Sequence, residues 1–215
     1  MFLLLVICLV CYGLTTIYLL WGISQQKPIH KGVTLGLLGV GLVAHALMLH
    51  PKIVTTVGLN FNVFNVLSLT SLFMLGFYWL FCLYRPVLPL GILATPMVLV
   101  GVILGYTGNA VYQPLSHISS LLQWHIILSL AAYSVLFMSA IQAVMLRLQI
   151  RELKRKTIHR VWVNKLPALQ SMESLLFDMI GIGFVVLSVA LLLGFLDTTN
   201  LFAQHLAHKT VFSGL

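Results

Sequence analysis

Histidine is the residue type in this 215-residue chain best suited to metal chemistry, because eight histidines accompany only four acidic residues. A neutral imidazole is a good ligand for iron, zinc or copper near neutral pH. Two of the eight, His30 and His159, fall at one end of the helices predicted below. The other six fall at the opposite end and suggest a ligand site that opens there: His45, His50, His117, His125, His205 and His208.

The spacing around His125 and His45 predicts that both side chains face other helices. At helical period, His125 shares a face with small and hydroxyl residues, namely Ser129, Ala132, Tyr133, Ser139 and Ala143. His45 follows Gly41 by one turn and adjoins Ala44. Faces built from small residues pack against neighbouring helices, because the backbones can approach closely.

Two interpretations of these histidines stay open. An inward-facing ionisable group inside a membrane is a functional candidate, since burying it without a partner is costly. Alternatively, each imidazole is structural and hydrogen-bonds a neighbouring hydroxyl or carbonyl. The candidate ligands are His125 and His208, followed by His45; the histidines of the connecting loops come after these.

Cysteines and acids provide fewer candidates. Cys8 and Cys11 form a C-x-x-C within one helix, which suits a redox pair or soft-metal site but also simple apolar packing. No C-x-x-C-H motif for covalent haem attachment is present. Asp178 favours a structural pair with a loop Arg or Lys over a proton relay.

Composition identifies the solvent of these helices as lipid. Hydrophobic residues make up 60% of the chain and charged residues only 7%, against roughly 25% charged in soluble domains. This balance excludes soluble enzyme folds, disulfide scaffolds and nucleic-acid readers, and the lipid bilayer is the first partner implied. Hydrolytic and phosphoryl-transfer motifs are also absent from the sequence.

The predicted fold class is all-α, a polytopic bundle of six complete transmembrane helices plus the start of a seventh. Spans need about 20 apolar residues each. After the sixth, Asp197 to Lys209 reads as a polar connection, and Thr210 to Leu215 as the first turns of the seventh helix. The six predicted spans are Phe2 to Trp21, Val33 to Leu49, Asn62 to Leu83, Leu88 to Tyr106 (with Pro89 and Pro96), Leu121 to Leu148, and Leu175 to Leu196.

The distribution of Lys and Arg predicts an outer N-terminus. Cytoplasmic connections carry the excess of positive charge. With this orientation only Lys52 and Lys209 lie outside, and the inner residues are Lys27, Lys31, Arg85, Arg147, Arg151, Lys154, Arg155, Lys156, Arg160 and Lys165. The segment Arg147 to Lys165 is a basic cytoplasmic loop that suits anionic lipid headgroups or a soluble partner.

Three stretches resemble the cytochrome c assembly membrane proteins of the CcsA/HemX type, most of all the HemX/YpjD-like inner-membrane branch. The first, Leu166 to Phe195, carries Leu166 and Pro167, Glu173, Gly183 with Phe184, and Gly194 at the family's positions. The second, WHIILSLAAYS from Trp124, resembles the helix that begins with an outward-facing histidine. The third, HKTVFSGL, resembles the branch's next helix.

The resemblance implies a multi-pass protein of the bacterial inner membrane, residues 1–215 forming one assembly-type domain. Family members handle haem, so it implies non-covalent haem with His125 and His208 as iron ligands and His45 as a further outer-side candidate. Apocytochrome c or other cytochrome c maturation proteins are the implied partners. Family members usually continue for about two more helices, so we expect the C-terminal helices to be missing here.

One departure from the family leaves enzymatic activity open. The CcsA branch has a tryptophan-rich haem motif in the outer loop before His125, whereas Thr107 to Gln123 contains no tryptophan. The alternative function is therefore a non-enzymatic accessory or regulatory protein of haem metabolism, HemX-like, that acts through its basic cytoplasmic loop. A transporter subunit ranks last, because we find no repeat and only Pro96 hints at a broken helix.

Overall fold

The computed structural model describes residues 1–25, 27–56, 58–85, 87–108, 118–154 and 168–201, and only the backbone of 198–201. Within these residues it is all-helical, with six helices long and apolar enough to cross a membrane, as predicted. The predicted seventh helix lies outside the described residues. The helices are α1 Phe2–Ser24, α2 Lys31–Ile53, α3 Val63–Tyr84, α4 Gly91–Thr107, α5 Ser120–Lys154 and α6 Leu169–Leu201.

The helices form a four-helix group with a two-helix hairpin attached. α1 packs against α2 and α4, and α3 packs against α2 and α4. α5 and α6 make the most extensive contact of any pair, and α5 also packs against α3. α3 is therefore the central helix that joins the four-helix group to the α5–α6 hairpin.

Several predicted boundaries differ from the structure. α5 runs on to Lys154, so the start of the predicted basic loop, Arg147 to Lys165, is helical. Pro89 lies in a separate 3-10 turn, Leu88–Leu90, and α4 begins only at Gly91. Proline suits a first helical turn because it lacks the N–H that would go unused there. At the other end of the chain, α6 runs to Leu201, so Asp197 belongs to the helix and not to a polar connection. Asp197 has a side-chain partner in Ser119, the residue before α5.

The contact between α1 and α2 depends on a glycine. Gly41 faces the ring of Tyr12, and a Cβ at position 41 would overlap that ring. Tyr12 is fully buried, and the Cys8 thiol contacts the Gly41 carbonyl oxygen at 3.7 Å. The missing side chain lets the two backbones approach, as in other membrane helix pairs.

We expect Gly41→Ala to lower the free energy of unfolding by about 1–3 kcal/mol, the usual cost of overpacking a filled core. Gly36→Ala is the matched control on the same helix, because a Cβ there meets no atom within 4 Å. Unfolding in detergent, followed by circular dichroism, measures both variants. Equal stability of the two would contradict the close contact.

Candidate functional site

His125 lies near the N-terminal end of α5, which the distribution of Lys and Arg predicts to be the outer end, and is half-buried against α6. Its Nδ1 is 2.6 Å from the carbonyl oxygen of Ala190. A carbonyl can only accept a hydrogen bond, so Nδ1 must carry the proton. In the neutral imidazole the lone pair is then on Nε2, for which the described residues provide no hydrogen-bond partner. Histidines that ligate metals usually have this arrangement, with the second nitrogen bonded to a carbonyl or carboxylate.

Gly194 forms the wall beside the His125 ring. It follows Ala190 by one helical turn, and a Cβ at position 194 would lie 2.7 Å from His125 Nδ1 and 2.9 Å from Cε1. A methyl group there would push the ring off the Ala190 carbonyl. The contact gives a physical reason for Gly194, one of the positions at which the stretch from Leu166 to Phe195 resembles the family.

Ser119 and Asp197 connect the outer ends of α5 and α6. The Ser119 hydroxyl donates to Asp197 Oδ1 and accepts the Leu122 N–H at 3.0 Å, which caps the start of α5. Asp197 is 7% exposed. A carboxylate at a helix N-terminus is favoured by the helix dipole. The sequence interpretation missed this residue, although its spacing of three from Gly194 places both on one face of α6.

His45 occupies a different part of the bundle. It is fully buried, and its Nε2 is 2.9 Å from Ser68 Oγ on α3. Its ring meets Tyr12 edge-on with centroids 6.3 Å apart. Among the described residues neither His45 Nδ1 nor the Tyr12 hydroxyl has a hydrogen-bond partner. The prediction that His45 faces the bundle interior is confirmed.

The structure does not bring His45 and His125 together. His45 bonds to α3, whereas His125 bonds to α6, and α2 makes no extensive contact with α5 or α6. Each imidazole makes the hydrogen bond expected of a structural histidine. The contacts of both residues therefore agree with the structural alternative given in the sequence analysis. His125 alone combines that bond with a partly open position at the outer end.

The remaining histidine predictions divide in two groups. His30 and His50 are exposed at the two ends of α2. His208, a candidate ligand, lies outside the described residues, as do His117, His159 and His205.

The face predicted around His125 is only partly correct. Ala132 and Ser139 are buried, but Tyr133 is 55% exposed. An offset of eight residues turns a helix about 80° away from the starting residue, whereas an offset of seven turns it only about 20°. The Tyr133 side chain is therefore turned away from the face of α5 that carries His125.

Cys8 and Cys11 are free and buried in α1. In the part of the chain that the structure describes, no group of three His, Cys, Asp or Glu side chains could hold a metal ion. Both thiols belong to the hydrophobic core of the described bundle.

Asp178 has the loop partner that the sequence predicted. Arg85, just after α3, approaches it at 2.6 Å and also donates to Ser174 at 3.3 Å. The two charged side chains are 38% and 42% exposed, so solvent and headgroups screen the pair. The ion pair ties α3 to α6 at the inner side of the bundle.

We expect Asp178→Asn to lower the free energy of unfolding by less than about 1 kcal/mol, as for other exposed pairs. A double-mutant cycle with Arg85→Gln should give a coupling of about 0.2–1 kcal/mol. Thermal unfolding in detergent measures this. If Asp178→Asn instead lowered the activity of the protein in cells and left the free energy of unfolding unchanged, the result would favour the proton-relay alternative for Asp178.

Comparisons with known proteins agree with the features described. A family model described as cytochrome C assembly protein matches residues 34–215. The chain is 27% identical over 217 residues to the inner membrane protein YpjD of Escherichia coli strain K12, covering 96% of this chain and 79% of that protein. YpjD of E. coli O157:H7 matches equally, at 27% identity over the same shares. No solved structure matches significantly.

The structure explains some of the residues at which the stretch from Leu166 to Phe195 resembles the family. A Cβ at Gly183 would lie 2.6 Å from Leu136 Cδ2 on α5, and Phe184 beside it is 66% exposed and faces outward. Leu166 and Pro167 lie outside the described residues, and Glu173 is exposed. Gly183 and Gly194 thus permit the close packing of α5 on α6 that positions His125.

The relatives are inner membrane proteins, and this chain has six helices in its described part that suit a membrane. It is a multi-pass protein of the inner membrane. Cytochrome c carries covalent haem, so proteins that assemble it are haem-related. Because the family model covers most of the chain, the chain belongs to the cytochrome C assembly protein family.

Proposed function

We propose that this protein binds haem non-covalently at the outer side of the membrane during cytochrome c assembly, and that His125 would hold the iron. The observation that carries the proposal is the hydrogen bond from His125 Nδ1 to the Ala190 carbonyl, 2.6 Å long. It fixes the ring and leaves Nε2 as the basic nitrogen. A protein sets haem chemistry mainly through such axial ligands and their hydrogen bonds.

The surroundings of His125 suit a haem. The ring is half-buried near the outer end of an apolar hairpin, about 8 Å along α5 from Ser120 at 1.5 Å per residue. Trp124 beside it is 58% exposed, which provides an aromatic surface at the membrane edge. When bound, haem would supply a Lewis-acidic iron, which His125 and a second histidine would hold through their imidazole nitrogens.

His208 is the proposed second ligand, with His45 as the other candidate. α6 ends at Leu201, at the same end of the hairpin as His125. Seven extended residues span at most about 25 Å, so His208 is close enough in the chain to reach that end. His45 would need to leave its bond with Ser68, and it lies across α3 from the hairpin.

The other described residues of the site act by positioning. Ala190 holds the His125 tautomer, Gly194 leaves room for the ring, and the Ser119–Asp197 bond keeps the two helix ends together. Apocytochrome c or other maturation proteins are the proposed recipients of the haem. All of these roles are binding or positioning roles, and none of them involves the formation of a covalent bond.

The test is a haem titration of the purified full chain. We expect added haemin to give a saturable Soret band at close to one haem per chain. A protein that purifies without haem absorbance and also fails to bind added haemin would overturn the proposal.

A further inference from the structure

The inner end of α5 continues past the end of α3. Ser134 on α5 donates to the Thr70 carbonyl of α3 at 3.0 Å, which places these two residues at one level of two parallel helices. α3 ends at Tyr84, fourteen residues after Thr70, and Leu148 is fourteen residues after Ser134. Arg147 therefore lies level with the end of α3, and α5 runs on to Lys154.

The end of α3 marks the inner edge of the hydrocarbon layer. α3 has 22 residues, or about 33 Å, close to the thickness of a bilayer core. At the same level, Lys31 donates its ammonium to the Leu83 carbonyl at 2.9 Å, and a lysine in this position reaches for the interface. The final turns of α5 consequently extend about 10 Å into the headgroup layer.

Three cations lie on one face of these turns. Arg147, Arg151 and Lys154 follow spacings of four and three, so they share a side of the helix. All three are exposed. Together with Ile150 they line an open groove of about 500 Å³, and none of its lining residues is acidic. The groove thus has positive charge, an apolar floor and a position in the headgroup layer.

Phosphate at headgroup depth is the ligand that these features match. Clustered Lys and Arg side chains next to a membrane helix attract anionic lipids at the cytoplasmic surface. A soluble acidic partner offers similar charge, but the groove begins level with the edge of the hydrocarbon layer, where a lipid is already present. We infer that Arg147, Arg151 and Lys154 form a binding site for the phosphate headgroup of an anionic phospholipid. This inference does not depend on haem binding.

The test uses the full chain in nanodiscs of phosphatidylcholine that contain spin-labelled phosphatidylglycerol. Electron paramagnetic resonance measures the motionally restricted label, with spin-labelled phosphatidylcholine as reference. We expect the wild type to enrich phosphatidylglycerol, and R147Q/R151Q/K154Q to reduce that enrichment by at least about fivefold, the effect of one interfacial cation. R147K/R151K keeps the charges and should keep the enrichment.

Lys27→Gln is the matched control, because Lys27 lies at the same inner side but over the Trp21 ring, 4.5 Å away. It should leave the enrichment unchanged. Unchanged enrichment in the folded triple variant would overturn the inference. So would displacement of the label by inorganic phosphate at matched ionic strength, which indicates a free-phosphate site.

A photocrosslinker in place of Ile150 provides a second test and should capture lipid. Capture of a soluble protein alone would also overturn the inference.

Discussion

His125→Ala protein, purified beside the wild type, is expected to contain at least about tenfold less haem. The substitution removes the Nε2 lone pair that the Ala190 carbonyl fixes through Nδ1. Changes to groups that only orient a metal ligand already cost about 10–100-fold in affinity, and the ligand itself should cost no less. The height of the Soret band per protein measures the loss.

His50→Ala is the control for this experiment. His50 is an exposed histidine at the outer end of α2 and belongs to no described hydrogen-bonded site. It should retain the wild-type Soret band. Equal haem content in the two variants would remove His125 from the site.

Gly194→Ala is expected to weaken haem binding by about 10–100-fold although it adds only one methyl group. The new Cβ would lie 2.7 Å from His125 Nδ1, so the ring must move away from the Ala190 carbonyl. Without that hydrogen bond the proton can shift to Nε2, and the ring loses its orientation. A haemin titration of the variant measures the affinity.

Gly181→Ala provides the matched comparison on the same helix. A Cβ at position 181 meets no atom within 4 Å, so the helix gains a methyl group without touching α5. Its haem affinity should equal that of the wild type. If both glycine variants bind haem normally, Gly194 does not position His125.

The helical architecture could be predicted from the sequence because charge is so scarce. Six apolar stretches separated by polar residues correspond to the six helices. The ends were harder to place. α6 continues through Asp197, which is partnered by Ser119 just before α5, and a partner 78 residues away leaves no local signal.

The candidate site was predictable in its residue type but not in its arrangement. Spacing indicated that His125 and His45 face other helices, and both do. It could not show that α3 stands between them, because this depends on which helices pack together. Spacing also could not show that Nδ1 of His125 carries the proton. The position of this proton depends on the backbone carbonyl of Ala190, and because every residue has such a carbonyl, no residue type indicates it.

The most direct test of the central claim, that His125 Nε2 binds the haem iron, is chemical rescue of His125→Gly with free imidazole. The variant leaves space where the ring was, and imidazole supplies the missing nitrogen. We predict that the variant lacks the wild-type Soret band and regains it as imidazole is added, while His50→Gly shows no change. A wild-type spectrum of His125→Gly without imidazole would contradict the account.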